Sequence, residues 1–152
     1  MPMLLCEYAK PAEVSQERGK TYLYGPAFLA NEQNLNGRTY SEAIIQKSVD
    51  KLKQRIAQAG GMLGEFCHSP SGDGSLDPNR ISHIVKSVRR EGQNIWNVKS
   101  ELLNEGAGKI ARSILDISPN ALGYSMKGTG ELHPDGRVKE NYNFHQIGRA
   151  HV

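Results

Sequence analysis

Apolar residues recur at helical spacing along two stretches of this chain and alternate with polar residues along several others. Over residues 41–59, Ile45, Val49, Leu52, Ile56 and Ala59 fall at steps of four and three, forming one stripe while Lys47, Lys51 and Arg55 point elsewhere. Thr39 and Glu42 have the spacing of a capping box ahead of this helix, and Gly60-Gly61 ends it. Ile110, Ile114 and Ile117 mark a second, shorter helix over 107–117, stopped by Ser118-Pro119-Asn120. Residues 95–102 set Trp96, Val98, Ser100 and Leu102 against Ile95, Asn97, Lys99 and Glu101, the pattern of a half-buried strand; a turn at Glu91-Gly92-Gln93 joins it to 81–90 as a hairpin. Over 122–132, Leu122, Tyr124 and Met126 alternate with Gly123, Ser125, Lys127 and Thr129, which predicts a bulky face inward and a small polar face outward. His133-Pro134-Asp135-Gly136 then turns the chain into a strand over 138–144. Residues 22–30, interrupted by Gly25-Pro26, read as a bent or edge strand. Residues 62–68 read as a strand that delivers His68 to a loop rich in Ser, Gly, Asp and Pro. Strands dominate, so the expectation is an α+β fold: an antiparallel β-barrel-like domain with two flanking helices.

Composition narrows the functional classes. The chain has 152 residues, room for one domain, and 38% hydrophobic residues, enough for a core. Its longest apolar runs fall far below the roughly 18 residues of a membrane helix. The first residues are apolar only as far as Cys6 and carry no basic leader, which sets the cytosol as the expected compartment. A net charge of +3 is slight, and the nearest basic cluster is Lys86, Arg89 and Arg90. A nucleic-acid-binding barrel would need aromatic and basic side chains together on one strand face, whereas Tyr124 and Lys127 fall on opposite faces. No Gly-rich phosphate loop joins a strand to a helix, and no C-x-x-C or H-x-x-x-H pair is present, so neither cofactor nor metal is expected.

The residues that could carry chemistry are Ser125, His68, His83, Cys67 and the acids Glu65, Asp73 and Asp77. Ser125 lies between Gly123 and Lys127-Gly128, where a substrate backbone could approach closely. A nucleophilic serine needs a base, and His68 at a strand end is the best-placed imidazole. On the pattern alone, a surface serine and a loop histidine is the favoured reading. Cys67 reads as a buried structural thiol, and His83, between Ser82 and Ile84, as a core histidine.

Four stretches, in order, resemble the prohead proteases of T-even-type tailed phages, a family related in fold to the herpesvirus assemblins. They are Asn34-Leu35-Asn36-Gly37-Arg38-Thr39-Tyr40; Leu63-Gly64-Glu65-Phe66-Cys67-His68-Ser69-Pro70; Asp77-Pro78 with Arg80-Ile81-Ser82-His83; and Gly123-Tyr124-Ser125-Met126-Lys127-Gly128-Thr129-Gly130. The family's G-E-x-x-H-x-P segment carries the general base onto His68. Its G-x-S-x-(R/K)-G-x-G segment carries the nucleophile onto Ser125. The resemblance implies a serine endopeptidase acting in the host cytoplasm, inside the assembling procapsid. Its substrates would be scaffold, core and capsid proteins and usually its own chain, and self-association is open. Met126, Lys127 and Gly128 become candidates for the oxyanion and substrate side. Glu65 is the candidate third catalytic member, with Asp77 and, by analogy with the herpesvirus enzymes, His83 as alternatives. The runner-up function is a non-enzymatic structural barrel of the phage particle, which expects an exposed Ser125 with no imidazole nearby.

Related phage sequences continue past the last hairpin strand into a segment with Asp and Pro-Ser. Here Ile147-Gly148-Arg149-Ala150-His151-Val152 is the in-frame translation of the sequencing adapter ATCGGAAGAGCACACGTC. The expectation is a protease domain over 1–146, incomplete at its C-terminus, followed by a non-native tail over 147–152, with weak or no activity in this fragment.

Overall fold

Ten principal elements build the molecule, and the computed structural model describes residues 3–68 and 75–151. In chain order they are β1 (Met3–Pro11), β2 (Glu13–Glu17), β3 (Lys20–Leu29), α1 (Glu42–Ala59), β4 (Met62–Glu65), β5 (Ile81–Arg90), β6 (Ile95–Leu102), α2 (Ala107–Ile117), β7 (Leu122–Gly130) and β8 (Asn143–His151). The strands divide between a three-stranded sheet, β1-β7-β8, and a five-stranded sheet, β2-β3-β6-β5-β4, with every strand pairing antiparallel. This is the expected α+β class with two helices.

Side chains from both sheets meet in one core that includes Leu5, Leu23, Val98, Leu122 and Ile147. Tyr124 reaches out of β7 into the other sheet, where its hydroxyl bonds the Leu23 carbonyl at 2.6 Å and Ser100 Oγ at 2.5 Å. A buried phenol without such partners would be costly. At one corner Phe66 forms a parallel bridge to Arg149, and Cys67 N–H donates to the Arg149 carbonyl at 2.8 Å, stitching the end of β4 to β8.

The stripe on α1 is buried as its period requires, with Ile45, Val49 and Leu52 inaccessible to solvent. Its cap differs from expectation: Ser41, not Thr39, accepts from Ile44 N–H at 3.2 Å, because Thr39 is held in bridges to Gln33 and Arg137. Gly60 closes the helix in the left-handed region, as expected. Helix α2 also lies where the isoleucines placed it but turns the other way. Ala107, Gly108, Ala111 and Leu115 face the sheet, while Ile110 and Ile117 are 60% and 87% exposed. Small residues permit close approach to β5, which an isoleucine face would prevent.

Three strand expectations need correction. Strands β1 and β2 come from a stretch in which no alternation was recognised. The last strand begins at Asn143, not 138, because residues 131–142 form turns pinned by His133 N–H to Arg137 O and Lys139 N–H to Glu131 O. The small polar face of β7 is not outward: Ser125 and Lys127 are as buried as Tyr124 and Met126. As the middle strand of its sheet, covered on both faces, β7 has no solvent side.

Candidate active site

Strand β7 holds Ser125 between two neighbours, opposite Tyr8 of β1 and Gly148 of β8. Its hydroxyl is wholly buried and has no hydrogen-bond partner among the described residues. The chain then brings His68 over it from the other sheet. After β4, Cys67 adopts a left-handed conformation with φ 53°, and its carbonyl accepts from Arg80 Nη1 at 2.8 Å. This bend lays the His68 ring on Gly148, where a Cβ would stand 2.3 Å from His68 Cε1 and 2.8 Å from Nδ1. Only glycine leaves room for the imidazole.

His68 Nε2 lies 3.1 Å from the backbone carbonyl of Ser125. A carbonyl only accepts, so in this arrangement Nε2 carries the proton and the lone pair is on Nδ1. Nδ1 is buried and has no partner among the described residues. Burial pushes the imidazole's proton affinity down to about 4, and the Lys127 charge pushes the same way, against the Ser125 carbonyl and Glu65. At neutral pH the ring is therefore an uncharged base.

Glu65, the candidate third member, is fully buried close by and is held by Gln146, Lys127 and Asp77. Oε1 accepts from Gln146 Nε2 at 2.5 Å and lies 3.7 Å from Lys127 Nζ, and Oε2 accepts from Asp77 N–H at 2.9 Å. Gln146 Oε1 in turn accepts from Glu65 N–H at 2.8 Å. Asp77 uses its own carboxylate to cap Asn79 N–H and to pair with Arg80 at 3.4 Å. His83 is buried with Nδ1 2.7 Å from Ser82 Oγ and Nε2 2.9 Å from the Ile147 carbonyl, and burial holds its proton affinity well below the ordinary value. So the structure brings His68 to Ser125, while Glu65, Asp77 and His83 each have other partners. Asp73 lies outside the described residues.

Met126, Lys127 and Gly128 sit in the ladder on both sides, opposite Glu7, Cys6 and Leu5 of β1 and Ile147, Gln146 and Phe144 of β8. Cys67 is exposed at its bend instead of buried, because the left-handed turn lifts it off the strand alternation. One groove lies away from this chemistry, between α1, β4 and β8, and is lined by Lys51, Arg55, Leu63, Leu76 and His145 among others.

Sequence reasoning missed two residues of the site. Gln146 carries no signal of its own. Gly148 could have been found only from knowledge that β8 pairs with β7 in this register, since nothing local demands glycine there.

A second buried acid lies on the other neighbour of β7. Glu7, paired with Met126, accepts from Asn34 Nδ2 at 2.9 Å, Asn36 Nδ2 at 2.9 Å, Arg38 Nη1 at 2.8 Å and Tyr40 OH at 2.5 Å. The polar stretch ahead of α1 is thereby folded around one carboxylate of β1.

No protein-family model and no curated protein sequence matches the chain. Among solved structures, the chain is similar to the bacteriophage T4 capsid assembly protease, gp21, with a TM-score of 0.81 and 23% sequence identity over 98% of both chains. The likeness is one of fold: the two chains share their architecture from end to end.

Proposed function

We propose that this protein is a serine endopeptidase of phage procapsid maturation, with Ser125 as nucleophile and His68 as general base. The observation that carries the reading is the His68 imidazole set against Ser125 inside a buried site, in a fold like that of a capsid assembly protease. The structural-barrel alternative expects an exposed serine without an imidazole, and Ser125 is neither.

The geometry constrains the order of events. Ser125 Oγ is inaccessible, so the groups over it must shift before a peptide carbonyl can approach. That shift must also release His68 Nε2–H from the Ser125 carbonyl and bring a bare ring nitrogen to Oγ. His68 then takes the hydroxyl proton as Oγ bonds to the carbonyl carbon, and returns it to the leaving amine as the C–N bond breaks. Water repeats the sequence to free the acyl group. Backbone amides near residues 126–128 are the candidate donors to the oxyanion. Glu65 belongs to this machinery as its candidate third member, and scaffold, core and capsid proteins of the assembling head are its proposed substrates. The proposed setting is the procapsid in the host cytoplasm, with no metal or cofactor called for.

The function is tested by assaying purified Ser125→Ala, His68→Ala and Cys67→Ser proteins on a phage scaffold protein. Loss of cleavage in the first two, with retention in the third, is expected. Parental rates in Ser125→Ala would move the nucleophile elsewhere, to Cys67 first.

A further inference from the structure

Two full charges lie buried beside this site. Lys127 is two positions past Ser125 on the same face of β7, and Glu65 is three positions before His68 at the end of β4; both are wholly inaccessible and stand 3.7 Å apart. Burying such a pair costs several kcal/mol per ion before the attraction is counted, and well-packed apolar residues often serve stability as well. Stability alone gives no reason for the pair here.

Its connections suggest one. The Glu65 carboxylate gathers Lys127 from β7, Gln146 from β8 and the Asp77 N–H from the far end of the chain segment that begins at His68. Strands β7 and β8 and the residue at the end of this segment are thus tied to a single carboxylate. Among the described residues, the other groups around this site are Cys6 across from Lys127 on β1, the Ser125 carbonyl on β7, Gly148 on β8 and His83 on β5. Burial raises the Cys6 thiol's affinity for its proton and lowers that of His83. Among the described residues, Lys127 and Glu65 are the charged groups that act on the ring.

We propose that the buried Glu65–Lys127 pair is a positioning device that clamps the His68 segment onto the strand of Ser125. Glu65 then acts through Lys127 and Gln146, and Lys127 adds a positive charge to the burial that chiefly keeps the base neutral. This inference rests on the assignment of His68 as general base. The two charges push the ring in opposite directions, which makes the device separable into its parts.

The test is an NMR titration of the His68 ring in a Ser125→Ala background, where no turnover interferes. Lys127→Met is expected to raise the His68 midpoint by about one pH unit and Glu65→Gln to lower it, the size typical of a close charge. In the active protein, Lys127→Met should move the acidic limb of kcat/KM upward by the same amount, and Lys127→Arg should restore it. Should either single variant fail to fold, Glu65→Met combined with Lys127→Met removes both charges and is expected to fold. That double variant should keep the parental melting temperature but lose at least about tenfold in kcat, because the clamp is gone. Identical His68 midpoints in all variants, or parental kcat in the double variant, would overturn the proposal and leave the nucleophile assignment standing. Undiminished cleavage by Ser125→Ala would overturn that assignment and leave the titration shifts untouched.

Discussion

Replacing Arg149 by methionine should stabilise the protein. Its guanidinium is inaccessible to solvent in the core between the sheets, and one nitrogen, Nη2, reaches a partner, Ser100 Oγ at 2.7 Å. Nε and Nη1 have none among the described residues. Burial pushes the group's proton affinity down to about 10, a fall of roughly 2.5 decades at about 1.36 kcal/mol each, or about 3 kcal/mol. For a base with a lowered affinity in the folded state, that cost applies in full at neutral pH and is relieved only as pH rises past 10. Methionine has similar length and no donors. It gives up one hydrogen bond of about 1 kcal/mol, while Ser100 Oγ keeps Tyr124 OH. Packing of the thioether offsets that loss, so the net gain should be about 2–4 kcal/mol. Urea unfolding followed by circular dichroism should place the midpoint about 1–2 M higher at unchanged slope. A midpoint equal to or below the parent's would mean that the guanidinium is well served where it lies, and the reasoning would be wrong.

Three further outcomes follow from the site and its supports. Stability should fall as pH drops from about 6.5 to 4: His68 resists protonation in the fold, so the unfolded chain binds more protons across that window. His68→Gln should flatten part of that loss, read as ΔG of unfolding against pH, and an unchanged profile would contradict the buried neutral ring. Gly148→Ala should cut kcat/KM by about 100-fold or more, since its Cβ would enter the space of the imidazole; parental activity would show that the ring does not work from that position. Glu7→Ala should cost about 3–5 kcal/mol, because Arg38, Tyr40 and two asparagines lose one buried acceptor; a loss under about 1 kcal/mol would mean that water replaces it.

Local periodicity revealed both helices, the β5–β6 hairpin and β7, because each carries its pattern within one turn or one strand. What it could not reveal were features decided by distant partners. Strand β1 holds Glu7 directly after an apolar run, and its place is clear only once the four donors of residues 34–40 are seen around it. The alternation in β7 marked two faces but not their surroundings, so Ser125 read as exposed when a neighbouring sheet and the His68 bend cover it. Ile110 and Ile117 misled for the opposite reason: a helix beside a sheet can bury its smallest residues and leave its largest outside. Ser125 and His68 were legible as a pair through their flanking motifs, whereas Gln146 is an ordinary polar residue that gains meaning only from facing Glu65.

The pairing of β7 has a consequence for when the site comes into being. Strand β7, which carries Ser125, is flanked by β1, which precedes it in the chain, and by β8, which follows it, with Met3 opposite Gly130 and Gly148 opposite Ser125. A ribosome that has delivered Ser125 has not yet delivered the strand on which His68 rests. The imidazole has no floor until Gly148 emerges, and the slow closure of contacts so far apart in sequence then follows. Ser125 and His68 are thus joined only once β8 has paired, so on the proposed assignment a nascent chain gains its cutting site late.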